Sequence, residues 1–232
     1  MKGVKFGNIH TYEKWNIILT HTEISFPEVK NETVNIPGAD GELDFSRSLT
    51  GDIKYKNRKL SFEFVSASEY DTWKSLMSDI ANSLHGQFFE KIILDEDCNF
   101  YYKGSVKLNQ FKSDKSLGKI VIECNVEPYK YDLVASNENW LWDSFNFEDG
   151  IINETCDIIV EGNKEVVIYG RRKKVVPKFI CDNPLELIFN GEIYNLTSGT
   201  SYSPDIEICE GENILKFVGN GMVTIEYRGG SL

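Results

Sequence analysis

Along most of this chain apolar residues recur at every second position, and in one window they recur every three or four. The exceptional window is residues 69–84, where Tyr70, Trp73, Leu76, Met77, Ile80 and Leu84 fall on one side of a helical wheel. That spacing predicts an amphipathic helix over about 68–85. Ser66 or Ser68 is placed to cap its start, with Glu69 and Asp71 near the positive end of the dipole. Gly86 is placed to take the left-handed position that closes it. Elsewhere the period is two, as in LSFEF (60–64) and KIVIECNVE (119–127), which sends side chains to alternate faces of a strand. One helix in a field of short strands indicates a mainly β fold.

In the first half, strands are expected at 2–6, 16–20, 32–36, 59–65, 88–94, 100–111 and 119–127. The last two are long enough to pair as an antiparallel hairpin through the polar turn at 113–118. Glu127-Pro128 breaks the pattern, and a mixed polar stretch follows, so a domain boundary is placed near 132–136. The expected domains are 1–132 and 133–232. In the second half, strands are expected at 139–147, 155–160, 165–169, 174–181, 185–189, 192–196, 205–209, 213–218 and 222–227. Asn190-Gly191 is a type I′ hairpin signal, because both central residues must accept positive φ. Gly219-Asn220-Gly221 reads as the turn joining the last two strands. Many short strands at regular spacing indicate a β-sandwich, a jelly-roll by preference.

Residues 37–58, PGADGELDFSRSLTGDIKYKNR, build a sharply folded loop that hands over to the strand at 59–65. Proline presets φ, glycine accepts positive φ, and the Asp side chain can bond its own backbone. The order PGADGELD, LTG, YKNR and an alternating strand resembles the N-terminal domain of phage distal tail (Dit) proteins. LHG (84–86), DEDCNFYYKG (95–104) and EPY (127–129) follow in the same order. The last stretch, GENILKFVGNGMVTIEYRGGSL, is similar to that family's closing hairpin. The resemblance implies an N-terminal β-sandwich or barrel-like domain with one α-helix, then a galectin-like β-sandwich without an inserted module. It also implies a non-enzymatic virion protein at the distal end of the tail, made in the host cytoplasm. As a homohexamer it would form a hub ring joining the tail tube protein to the tail-tip protein and the receptor-binding protein. No cofactor is implied.

Charge narrows the partners. The net charge is −11, with 17 Lys+Arg against 20 Asp+Glu in residues 1–132 and 8 against 16 in residues 133–232. An acidic surface repels phosphates, so neither nucleic acid binding nor membrane insertion is expected. The basic run Arg171-Arg172-Lys173-Lys174 is read as a hairpin tip in water. Five cysteines, with no CxxC, do not form a complete disulfide framework. In IVIECNV and PDIEICE the thiols of Cys124 and Cys209 read as small semi-buried side chains.

Candidate chemistry is sparse. Asp95, Asp97 and Asn99 alternate like the start of a calcium loop, but Phe100 stands where that loop needs glycine and Val106 where it needs glutamate, so a turn is expected and no metal site. Asp40 and Asp44 flank Gly41, but glycoside hydrolysis needs two carboxyls facing across a cleft at a defined separation, of which sequence proximity says nothing. His10, His21 and His85 lack zinc spacing, and His85 stands where a positive charge would suit the helix dipole. Trp140 and Trp142, on one face of an expected strand, are the candidate carbohydrate contact. They support the alternative reading of an accessory module that binds host cell-wall sugars. No catalytic residue is expected.

Overall fold

The computed structural model describes residues 2–38, 40–48, 51–66, 72–113, 118–138 and 155–232. The chain divides into two compact units, one holding 1–97, 101–130 and residue 232, the other holding 98–100 and 131–231.

The first unit contains β1 (Val4–Phe6), β2 (Ile9–His10), α1 (Thr11–Trp15), β3 (Ile17–Ile24), β4 (Thr33–Asn35), β5 (Glu42–Asp44), β6 (Arg58–Ser66), α2 (Trp73–Leu84), β7 (Phe88–Leu94), β8 (Phe100–Ser113) and β9 (Gly118–Val126). Its main sheet runs β2-β1-β7-β8-β9-β6-β3. The two end strands, β2 and β3, are joined directly by α1, so the sheet curls into a nearly closed barrel. Alternation chooses what faces inward. Leu60, Phe62 and Phe64 of β6 stand opposite Cys124, Ile122 and Ile120 of β9, and all six are buried. Phe6 meets Phe62 edge to face, with centroids 6.4 Å apart. Helix α2 presses Ile80 and Leu84 into the same core. Trp15 of α1 donates its indole N–H to Asp79 of α2 at 2.6 Å, which locks the two helices together.

Helix α1 was not expected. It is five residues long, too short for a periodic signal, and its caps sustain it. His10 Nδ1 accepts the Glu13 N–H, and Asn16 closes the helix at φ 51°. The cap of α2 also differs from expectation. Ser66 belongs to β6, Ser68 lies outside the described residues, and Thr72 occupies the N-cap, where its side chain makes no capping bond.

The second unit contains β10 (Lys130–Asp132), β11 (Ile158–Gly170), β12 (Lys178–Cys181), β13 (Leu185–Phe189), β14 (Glu192–Leu196), β15 (Gly199–Tyr202), β16 (Gly211–Glu226) and β17 (Gly230–Ser231). β10 opens on Lys130, which belongs to the first unit, and pairs with β17. The expected strands 155–160 and 165–169 are one strand, β11. The expected pair 213–218 and 222–227 is likewise one strand, β16, so the closing hairpin is not there. β11 and β16 pair without a break from Ile158↔Val223 to Gly170↔Gly211, with Gly162 opposite Gly219. At this point Gly162 has φ 74° and Gly219 φ 132°, conformations that turn the ribbon without ending it. The first half of β16 pairs with β13 and the second half with β12. Phe179 of β12 meets Phe217 of β16 across the interior at 6.1 Å, so the two half-sheets close as a sandwich. Asn190 (φ 52°) and Gly191 (φ 85°) form the expected hairpin turn between β13 and β14. The expected strand 205–209 reduces to one bridge, Val175↔Ile208, and β15 replaces it at the edge of β12.

Candidate subunit interface

Between β3 and β6 the chain leaves the barrel and returns, and the described residues of 25–57 form an arm. Its base is held by backbone. Ser25 N–H donates to Lys59 C=O at 3.1 Å, Lys56 N–H to Glu28 C=O at 2.8 Å and Lys30 N–H to Lys54 C=O at 2.8 Å. Further out, β4 and β5 pair only with each other, in the register Thr33↔Asp44, Val34↔Leu43, Asn35↔Glu42. The Phe45 N–H to Glu32 C=O bond, at 2.7 Å, extends the ladder by one more pair.

Period two gives the hairpin two unlike faces. Val34, Ile36, Leu43 and Phe45 share one face, while Thr33, Asn35, Glu42 and Asp44 share the other. The apolar face is half-exposed: Val34 is 51% exposed, Ile36 41%, Leu43 49% and Phe45 45%, with Phe26 at the base 86% exposed. An isolated two-stranded hairpin is marginal in water, and a contiguous exposed apolar face on one is a candidate contact surface. Sequence reasoning treated 37–58 as a loop and passed over this face. The signal was present as the alternation of Val34 with Ile36 and of Leu43 with Phe45.

The arm's acidic residues are structural. Asp44 Oδ1 accepts the Ser46 N–H at 2.8 Å, and Ser46 Oγ accepts the Glu32 N–H at 2.9 Å. The bonds from Ser46 hold the Asp44 carboxyl below the usual carboxylate range. Asp40 and Asp44 are both exposed on this arm.

Other candidates have structural partners. Asp95 accepts the Gly3 N–H at 2.7 Å and stands 3.2 Å from His10 Nε2. Because His10 Nδ1 already accepts an N–H, its Nε2 carries the proton and donates to Asp95. Asp97 pairs with Lys130 at 2.8 Å. The Asp95–Asp97 turn therefore pins chain segments, and among the described residues no group of His, Cys, Asp or Glu is arranged to hold a metal ion. His85 does not serve the dipole as expected: its Nδ1 accepts the Leu108 N–H at 3.1 Å and ties the helix end to β8. The basic run is no hairpin tip in water. Arg171 pairs with Asp132 at 2.7 Å, Arg172 with Glu210 at 3.1 Å, and Lys173 donates to the Tyr131 hydroxyl at 2.9 Å. Cys124 is buried, which pushes its thiol pKa up, while Cys209 is exposed, contrary to the expectation for it. Trp140 and Trp142 lie outside the described residues. No helix among the described residues is long and apolar enough to cross a membrane.

No family model matches the chain, and no curated protein matches it. Among solved structures, the Dit protein of phage SPP1 superposes with a TM-score of 0.60 at 10% identity, over 98% of this chain and 99% of that one. That protein is described as a paradigm of the hub of the adsorption apparatus in phages infecting Gram-positive hosts. The baseplate of phage p2 in its activated conformation matches at 9% identity, over 99% of this chain and 97% of that one, with a TM-score of 0.37 that carries no weight. At 10% identity the likeness concerns the fold alone. The chain has the distal tail protein fold, a barrel-like β unit with helices followed by a galectin-like β-sandwich.

Proposed function

We propose that this chain is a structural hub subunit of a phage or phage-like tail, six copies of which close into a ring at the tail's distal end. The amphipathic arm carries this reading. Its apolar face is left half-exposed among the described residues, and a ring would complete its cover, since each arm lies on the next subunit in a head-to-tail contact repeated until the circle closes. A fully buried aliphatic or aromatic side chain contributes about 1.5–3 kcal/mol, so four half-exposed ones at every junction are a substantial drive to assemble. The barrel unit makes the ring. One rim of the ring meets the tail tube and the other the tail-tip protein, with a receptor-binding protein carried on the periphery. The fold likeness to a hub protein supports this reading, as does an acidic chain ill-suited to nucleic acid.

Native mass spectrometry tests it. Six copies of a 26.5 kDa chain weigh about 159 kDa. The double variant Val34→Asp/Leu43→Asp is expected to abolish that species while the monomer keeps its circular dichroism spectrum. A variant that still assembles would remove the arm from the interface, and a wild-type chain that stays monomeric at high concentration would remove the ring.

A further inference from the structure

The outward positions of an antiparallel sandwich normally carry polar residues. One outer face of the second unit also carries a cluster of apolar ones. On the half-sheet β11-β16-β13-β14, the register sets Val167 opposite Ile214 and Ile188 opposite Ile193. Ile188 in turn stands opposite Lys216, one outward position along β16 from Ile214, so the two pairs are diagonal neighbours. Ile193 is 64% exposed, Ile214 50% and Val167 42%, with Tyr169 continuing the row at 49%. Single exposed apolar residues are ordinary, but these occupy neighbouring outward positions across four strands.

Charge says what can cover it. Glu165, Glu186 and Glu212 occupy outward positions around the patch, against Lys216 as the one basic residue on these rows among the described residues. A second copy using the same face would set these carboxylates against each other. Nucleic acid and anionic lipid are repelled for the same reason. The complement is a protein surface with an apolar centre and a Lys/Arg rim.

We infer that the outer face of β11, β16, β13 and β14 docks a different polypeptide, one whose apolar contact surface is ringed by basic side chains. The inference deepens the proposed function by giving the sandwich a partner and rests on it for the expectation that the partner is a tail component.

The test places the photo-cross-linker p-benzoylphenylalanine at Ile193, and separately at Ile214, in the full chain produced in its own genetic context. Adducts are identified by mass spectrometry. The expected result is an adduct to another polypeptide, at a segment holding more Lys and Arg than Asp and Glu. Its yield should fall at least tenfold when Glu165→Lys and Glu212→Lys are added. Adducts to a second copy, adducts to an acidic segment, yields indifferent to the charge reversal, or no adduct would each overturn the inference. An adduct to a basic protein absent from sedimented particles would uphold the inference while counting against the tail reading. Particles that contain the chain without any adduct would do the reverse.

Discussion

Arg58 is the one buried charged side chain among the described residues, 3% exposed, with its guanidinium 4.8 Å from the centre of the Tyr102 ring. Its Nε and Nη2 have no hydrogen-bond partner among the described residues, and burial pushes its pKa down. Desolvating a cation without full pairing costs several kcal/mol, more than one cation–π contact returns. Arg58→Met keeps the length of the side chain and removes the charge. It is expected to stabilise the chain by about 1–4 kcal/mol, read as a higher thermal midpoint in calorimetry. A lowered midpoint would mean that the Tyr102 contact outweighs desolvation. The burial of Arg58 was legible in principle, since it lies in phase with Leu60, Phe62 and Phe64, yet an arginine at a strand end reads as exposed. Asp44 gives a second residue-scale outcome. Its folded pKa is depressed, so its contribution is present above the unfolded value of about 4 and is lost as pH falls through the folded value. The Ser46 amide resonance should hold its position from neutral pH down to about 4 and titrate below it. A midpoint at or above that value would mean the Asp44–Ser46 bond does not form in solution.

The long ribbon of β11 and β16 shows where reading by element stops. A Gly-Asn-Gly run between apolar strands has the composition of a hairpin turn, and nothing local distinguishes a turn from a bend. The distinction is made by the partner strand, where Gly162 lies opposite Gly219 and its N–H donates to the Asn220 side chain at 3.1 Å. Such cross-strand information is nonlocal, which is also why β12 is shorter than expected and 205–209 carries only a bridge. Elements whose signals are local fared otherwise. β7, β13 and β14 begin and end where alternation and Asn190-Gly191 place them. The bend makes its own prediction. Gly219→Ala imposes φ 132° on an L-residue and brings a methyl against Leu185, so it should cost about 1–3 kcal/mol in urea unfolding. An unchanged midpoint would show that the ribbon can turn elsewhere.

For the proposed ring, ionic strength separates the forces that could close it. Each copy carries −11, so bringing copies together raises self-repulsion that salt screens over a length of about 10 Å at 0.1 M. Contacts made by Val34, Ile36, Leu43 and Phe45 are apolar and do not weaken when salt is added. The outlying ion pair of the arm, Lys56 to Glu28 at 3.1 Å, is highly exposed and contributes little. If the arm drives assembly, raising sodium chloride from ~10 mM to ~0.5 M at fixed protein concentration should increase the ring fraction measured by analytical ultracentrifugation, because a shrinking Debye length removes repulsion and leaves attraction intact. Dissociation over the same range would mean that charge pairing between copies holds the ring. The apolar face of the hairpin would then need another occupant.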